Sequence, residues 1–242
     1  MLESPSPESL SKDLQQIYSR RFRGNLDYRN RVWQTLTADF FSRWIQPADR
    51  ILDLGCGYCQ FINHIECAEK YGMDLNPSAA DHAAKNVILL QQDCSTRWPF
   101  DDNFLDAVFT SNFLEHLPTK AALENTLREA IRCLKPGGKL IALGPNIRYL
   151  AAHYWDFFDH HLALSDRSLV EALEKTGFTV SECIPRFLPY TMVSSRQYPL
   201  IFLRLYLRLR LSWMLFGKQF LVIAAKPDRP AQVPENVTAG NA

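Results

Sequence analysis

The chain contains no uninterrupted run of about 18 apolar residues, so no transmembrane helix is expected. Its first residues, Met1-Leu2-Glu3-Ser4-Pro5, have neither the basic start nor the apolar stretch of a secretory signal. An excess of either charge is missing as well: 27 Lys and Arg stand against 26 Asp and Glu, a formal charge of +1. That balance argues against a nucleic-acid binder relying on a strong positive field, while leaving room for a local basic patch. The six cysteines, at positions 56, 59, 67, 94, 133 and 183, lack the spacing of a disulfide framework, which fits a reducing cytoplasm. There is no internal repeat. What the chain does have is apolar side chain. Of its 242 residues 47% are hydrophobic and 12% aromatic, enough for a substantial core and too much for wholesale disorder.

Residues 1–7 are rich in Ser and Pro and read as loose; a weakly amphipathic helical pattern over 8–22 ends at Gly24-Asn25. Tyr28 to Ile45 then places Val32, Trp33, Leu36, Phe40, Phe41 and Trp44 near the spacing of a buried helical stripe, closed by Pro47. Beyond it short apolar runs alternate with helical segments. Ile51–Leu54, Lys70–Asp74, Asn86–Leu90, Leu105–Thr110 and Lys139–Leu143 read as strands, with a helix over 119–134 ending at Lys135-Pro136-Gly137-Gly138. A helix from an N-capping Ser165 to Lys175 follows, with Gly177 beyond its end. Phe178-Thr179-Val180 begins a sixth strand and Gln219–Ala224 makes a seventh. The alternation predicts an α/β fold: a doubly wound, mainly parallel seven-stranded sheet with helices on both faces. An N-terminal helical extension (1–46) precedes the domain (47–226), which carries a helical insertion at about 195–217 before the last strand. The tail, 227–242, reads as disordered.

The most informative stretch is Ile51-Leu52-Asp53-Leu54-Gly55-Cys56-Gly57-Tyr58-Cys59-Gln60. Glycines at the end of a parallel strand let the backbone turn tightly, and the following helix start offers unpaired N–H groups to a ligand. In an open parallel sheet this edge is where ligands bind. A dinucleotide fingerprint needs one more glycine, and Gln60 occupies that place. Cys56 and Cys59 form a Cys-x-x-Cys inside the turn, but no second ligand pair stands at a zinc-like spacing, and no metal is expected.

The stretch resembles the first motif of the class I S-adenosylmethionine-dependent methyltransferases of small-molecule type, matched by Asp53, Gly55 and Gly57, with Cys59 where a third glycine often stands. Further matches follow in order over roughly residues 50–145: Tyr71-Gly72-Met73-Asp74, Gln91-Gln92-Asp93-Cys94, Phe109-Thr110-Ser111-Asn112-Phe113-Leu114-Glu115-His116-Leu117, and Leu134-Lys135-Pro136-Gly137-Gly138-Lys139-Leu140. The resemblance implies S-adenosylmethionine as methyl donor. It implies Asp74 on the ribose hydroxyls, Asp93 on the adenine amine, and Cys56, Leu75, Cys94, Ser111 and Asn112 as further cofactor contacts. Glu115 and His116 lie where a helix begins, so packing or charge complementarity to the helix start accounts for them.

Methyl transfer from a sulfonium mainly requires a nucleophile placed in line, and an oxygen or nitrogen acceptor also calls for a base. Asp156-Phe157-Phe158-Asp159-His160-His161 follows the fifth strand on the edge facing a substrate. His161 best fits the family's register, with His160 adjacent and Asp156 or Asp159 as orienting carboxylates; a polar loop whose histidines cap helices is the competing reading. Tyr149, Tyr154 and Trp155 line a pocket or belong to the core. Arg20, Arg21, Arg23, Arg29 and Arg31 cluster near the N-terminal break, and Arg29 is the candidate for the methionine carboxylate. In the insertion, a helix would stack Arg204 and Arg208 on one face, whereas residues 203–211 alternate as a strand would; strong helix formers favour the helix. This basic, apolar segment (196–217) is a packed lid, a dimer contact or a peripheral membrane contact. The expectation is a methyltransferase that is cytoplasmic, or peripheral at the inner face of a membrane, acting on a small-molecule or lipid-linked acceptor and not on nucleic acid. A catalytically silent cofactor-binding partner protein and an NAD-linked enzyme are the competing classes.

Overall fold

The computed structural model describes residues 26–190 and 197–228. Seven strands form one sheet: β1 (Arg50–Leu54), β2 (Glu69–Met73), β3 (Val87–Leu90), β4 (Leu105–Ser111), β5 (Leu134–Pro145), β6 (Thr179–Ile184) and β7 (Gln219–Ala225). Their order is β3-β2-β1-β4-β5-β7-β6. The first five pair in parallel, and β7 runs antiparallel between β5 and β6. The helices are α1 (Leu26–Asp39), α2 (Gln60–His64), α3 (Lys120–Cys133), α4 (Ile147–Leu150), α5 (Asp166–Lys175), α6 (Leu200–Arg208) and α7 (Arg210–Phe216).

Strand periodicity builds two cores back to back. In β1, Leu52 and Leu54 join the cluster that α3 and α5 cover, while Ile51 faces the cluster covered by α1, α2, α6 and α7. The same alternation holds in β5, where Leu140 and Ala142 point one way and Ile141 and Leu143 the other. A sheet apolar on both faces needs helices on both, which is why the strands read as near-continuous apolar runs.

The structure departs from the expected elements at three places. The helix expected through Ile45 stops at Asp39, and a 3₁₀ turn (Phe41–Arg43) follows. Phe40 and Phe41 are both fully buried, Phe40 stacked on Phe187 at 4.5 Å and Phe41 edge-on to Phe109 at 5.1 Å. Consecutive residues of an α-helix point about 100° apart, so seating both rings in one core requires the break. Strand β5 starts at Leu134, ahead of the expected Lys139, because the Pro-Gly-Gly turn is absorbed as a register shift against β4. The insertion is two helices, not one, separated by Leu209 in an extended conformation (φ −102°, ψ 92°). The helical pattern over 8–22, Arg20, Arg21 and Arg23, and the tail from residue 229 lie outside the described residues.

Two caps hold the back half in register. Ser165 and Ser168 form a reciprocal capping box at the start of α5, as its N-cap position implied. Asn146, fully buried after β5, donates through Nδ2 to Asp166 Oδ1 (2.7 Å) and to the Pro185 carbonyl (2.9 Å), and its Oδ1 accepts the Arg148 N–H (3.2 Å). One amide thus joins β5, α5 and the end of β6. Asn146→Ala strands these partners in the interior and is expected to cost about 2–3 kcal/mol, measured as a fall in the urea midpoint with unchanged slope.

Candidate active site

The turn after β1 is built from left-handed residues. Gly55, Gly57 and Cys59 have φ of 69°, 50° and 55°. The Gly55 and Cys56 N–H groups both donate to the Met73 carbonyl, at 2.8 and 3.2 Å, which folds the turn against the end of β2. A Cβ on Gly55 would lie 2.2 Å from Cγ of Phe113, so no other residue fits there without moving that ring. Cys59 holds a conformation that glycine adopts freely and that costs other residues about 1–2 kcal/mol. Its thiol, fully buried and 3.8 Å from that of Cys56, packs inside the turn.

Two carboxylates flank this turn. Asp74, just past β2, accepts the Gly57 N–H on Oδ2 (2.7 Å) and the Asn76 N–H on Oδ1 (2.8 Å). Burial raises its pKa, and these backbone donors oppose the rise. Asp53, in β1, is deeper; burial pushes it up to about 8, and the Asp74 charge adds to the rise.

The far wall comes from the segment after β4. A short 3₁₀ turn (Leu114–His116) brings Glu115 inward. Its main-chain carbonyl accepts the N–H groups of His161 (2.9 Å) and Leu162 (3.0 Å), which fastens the loop carrying His160 over the cavity. His116 Nδ1 lies 2.9 Å from the Asp159 carbonyl, an atom that only accepts, so Nδ1 carries a proton. Its Nε2 is then turned to Glu115 Oε1, 3.9 Å away. Burial opposes the charged form of His116, but Asp159 and Glu115 outweigh it and its pKa rises. Burial pushes the Glu115 carboxyl up to about 7, with His116 pulling the other way. The His160 ring sits among those of Tyr154 (4.8 Å), His116 (4.9 Å) and Phe157 (5.1 Å).

One cavity collects most of the residues singled out in the sequence. Asp53, Gly55, Cys56, Gly57, Ser111 and Asn112 line it, together with Arg29 from α1 and His160. Asp74 stands one hydrogen bond behind its wall, through Gly57. Others lie elsewhere. The His161 side chain is exposed, and the favoured histidine of the pair is therefore not the one at the cavity. Leu75 is exposed, Asp93 spends its Oδ1 on the N–H and hydroxyl of Ser95 (2.8 Å each), and the Cys94 thiol is buried against Thr126. Tyr154 belongs to the core, its hydroxyl donating to the Leu162 carbonyl at 2.6 Å, and Trp155 is exposed.

The cavity also recruits groups that sequence reasoning left out. Glu115 and His116 line it, so their role is more than a helix start, and Trp33, Phe157, Tyr190 and Gln219 complete it. Gln219, a polar residue opening the apolar strand β7, was the visible clue.

The chemistry of these groups is one-sided. Asn112 Oδ1, Glu115 Oε1 and Gln219 Oε1 are buried without a hydrogen-bond partner among the described residues. The two amides spend their N–H groups on the protein, Asn112 on Ser111 Oγ (3.0 Å) and Gln219 on the Pro189 carbonyl (2.9 Å). Asn112, Glu115 and Gln219 thus bring buried acceptor oxygens to the cavity lining beside Asp53, and such a lining suits a cationic ligand with N–H donors. The ammonium and sulfonium of S-adenosylmethionine meet that description.

Comparison with known proteins agrees. Residues 52–142 match the profile of a methyltransferase domain. The chain is 26% identical over 193 residues to the demethylmenaquinone methyltransferase of Symbiobacterium thermophilum, covering 70% of this chain and 75% of that protein. It is 26% identical over 148 residues to the demethylmenaquinone methyltransferase of Desulfitobacterium hafniense, and there spans about half of each, 54%. A methyltransferase dependent on S-adenosylmethionine from Archaeoglobus fulgidus shares the fold with a TM-score of 0.64 at 21% identity, over 88% of this chain and 99% of that one.

Two outcomes follow for cofactor binding. Asp74→Ala is expected to weaken S-adenosylmethionine binding by about 10- to 100-fold in calorimetry, the worth of hydrogen bonds to a charged group, while the protein stays folded by circular dichroism. Unchanged affinity refutes the ribose contact. A bound cation favours ionised Asp53, which is protonated below about pH 8 in the free protein. Affinity should therefore rise from pH 6 to 8 and level off above, with proton uptake by the buffer visible as a buffer-dependent heat.

Proposed function

We propose that this chain, a class I S-adenosylmethionine-dependent methyltransferase, acts on a small or lipid-linked acceptor bearing a flat apolar ring with an ionisable hydroxyl or an acidic C–H. The observation that carries this reading is the wall facing the glycine turn. There Trp33, Phe157 and Tyr190 line the cavity together with a buried carboxylate, Glu115, and a buried imidazole, His160. A planar apolar ring gains from such walls by loss of water and by edge or face contact. The name shared by the two relatives, demethylmenaquinone methyltransferase, points to the same class of acceptor, a quinone-type ring. A neutral charge balance and a ring-lined cavity both speak against a nucleic-acid acceptor.

The bound cofactor supplies a methyl group already activated by its sulfonium. The protein's part is placement and proton handling. Glu115, in the cavity lining, accepts the acceptor's proton, its pKa near 7 making it partly ionised yet basic at neutral pH. His116 stands behind it, held in one tautomer by Asp159, and its Nε2 steadies the carboxylate. His160, clamped by three neighbouring rings, contacts the acceptor ring. In this scheme His161 contributes only its backbone N–H, which holds the loop to Glu115.

Incubation of the enzyme with methyl-labelled cofactor and either demethylmenaquinone, simple naphthols, transfer RNA or cell protein tests the acceptor class. Label in the ring compounds supports the reading, and label confined to the macromolecular fractions overturns it. Glu115→Gln keeps the shape but not the base. It is expected to lower kcat by about 10²–10⁴. Below its pKa Glu115 is protonated and idle, so wild-type kcat/KM should rise as the pH passes about 7, and that limb should vanish in the variant.

A further inference from the structure

The insertion before β7 presents a surface that the methyltransferase reading does not use. Helix α6 buries Leu207 and packs Leu200, Leu203 and Tyr206 on the core beside α1, and α7 buries Trp213. An amphipathic helix with its inner stripe so satisfied carries polar residues outside. Here the outer face carries Ile201, Phe202, Leu205 and Leu209, between 46% and 59% exposed, and α7 adds Leu211, Met214, Leu215 and Phe216, between 61% and 67% exposed. Eight of the fourteen large apolar side chains exposed among the described residues thus fall within sixteen consecutive positions. Scattered exposed apolar residues need no explanation, but a contiguous crest does.

Charge selects the occupant. Residues 197–218 contain Arg204, Arg208, Arg210 and Lys218 and no Asp or Glu, in a chain whose total charge is only +1. Arg204 is engaged by Asp39 of α1 (3.0 Å), whereas Arg208 and Arg210, both exposed, stand at the joint between the two helices, amid the apolar crest. Apolar side chains flanked by arginines, whose stems lie along apolar surface while the guanidinium stays in water, match the boundary of an anionic lipid leaflet. A second copy docked through the same face would bring the two arginine groups together with no carboxylate from this segment between them. No helix among the described residues is long and apolar enough to cross a membrane, so the contact would lie along the surface.

We propose that the α6–α7 hairpin docks the enzyme on an anionic membrane surface, its apolar crest entering the headgroup boundary and Arg208 and Arg210 pairing with lipid phosphates. The hairpin is adjoined in sequence by cavity residues, Tyr190 before it and Gln219 directly after Lys218, so docking sets the cavity beside the leaflet from which a lipid-linked acceptor would come. The proposal stands on the surface itself and not on the acceptor assigned above.

Flotation of the full chain with phosphatidylcholine vesicles, with and without about one third phosphatidylglycerol, tests it. The expected result is at least about tenfold stronger partitioning onto the anionic vesicles, weakened by salt. Phe202→Ser with Leu215→Ser, and separately Arg208→Gln with Arg210→Gln, should each lower that partitioning by about tenfold while cofactor binding is unchanged. All four positions are exposed, so the variants are expected to fold, and the cofactor titration checks this. Equal partitioning before and after substitution overturns the proposal. So does failure to bind either vesicle, whether the chain is then a monomer in sedimentation or a dimer that the Phe202 and Leu215 changes dissociate. Loss of ring methylation with vesicle binding intact would remove the acceptor reading and leave the docking surface standing.

Discussion

Everything in the site depends on the left-handed turn that follows β1. Three residues with positive φ bring the chain round within five positions, and the Met73 carbonyl, taking two N–H groups, fastens the turn to the neighbouring strand. That closure presents the Gly57 N–H to Asp74, so strand pairing, backbone handedness and the position of that carboxylate are one constraint. Phe113 fills the space left by the missing side chain of Gly55, and its neighbours Asn112, Glu115 and His116 are thereby set against the turn. The cavity is what remains between the two segments.

The electrostatics follow from the same closeness. Asp53, Asp74 and Glu115 are all raised by burial, and charged carboxylates in a poorly solvated space are unfavourable unless compensated. Backbone donors compensate Asp74, and His116 partly compensates Glu115, against the Asp159 charge. Burial pushes Asp53 up to about 8, a backbone hydrogen bond opposes the rise and the Asp74 charge adds to it, so Asp53 gains from a positive ligand. Buried carboxylates of this kind favour a positively charged ligand over a neutral one.

Much of this was legible in the sequence because it rests on local backbone needs. A strand ending in glycine, an aspartate closing the next strand and a Pro-Gly-Gly turn before the fifth each carry their geometry with them, and the two-sided apolar strands announce a sheet covered on both faces. What stayed hidden lies where the chain is irregular. Glu115 read as the first turn of a helix, and only the 3₁₀ turn, ending in the carbonyl that holds His161 and Leu162, turns its side chain inward. The neighbours His160 and His161 differ by one position in a segment with no period, so nothing in the sequence distinguishes the ring packed on Tyr154 from the one left in solvent. Asp93 matched its motif in register, yet its carboxylate closes its own loop through Ser95. The helix break at Phe40 needed knowledge of two distant rings, Phe187 and Phe109, that claim adjacent residues.

The antiparallel end of the sheet ties the insertion to the chemistry. β7 runs back between β5 and β6, so its first residue, Gln219, pairs with Pro145 at the carboxyl end of β5, at the same edge where β1 and β4 deliver the glycine turn and Asn112. Any segment inserted between β6 and β7 must leave and re-enter at that edge. Tyr190 and Gln219 mark the two ends of the loop, and both line the cavity. The anchoring of the hairpin is also shared with the cofactor side: Trp213 and Phe187 pack on Phe40 at the end of α1, the helix that carries Arg29 and Trp33. The hairpin is thus joined through packed rings to the end of the helix that lines the cavity. The insertion and the glycine turn thus stand at one edge of the sheet, because its topology brings both ends of the segment between β6 and β7 there.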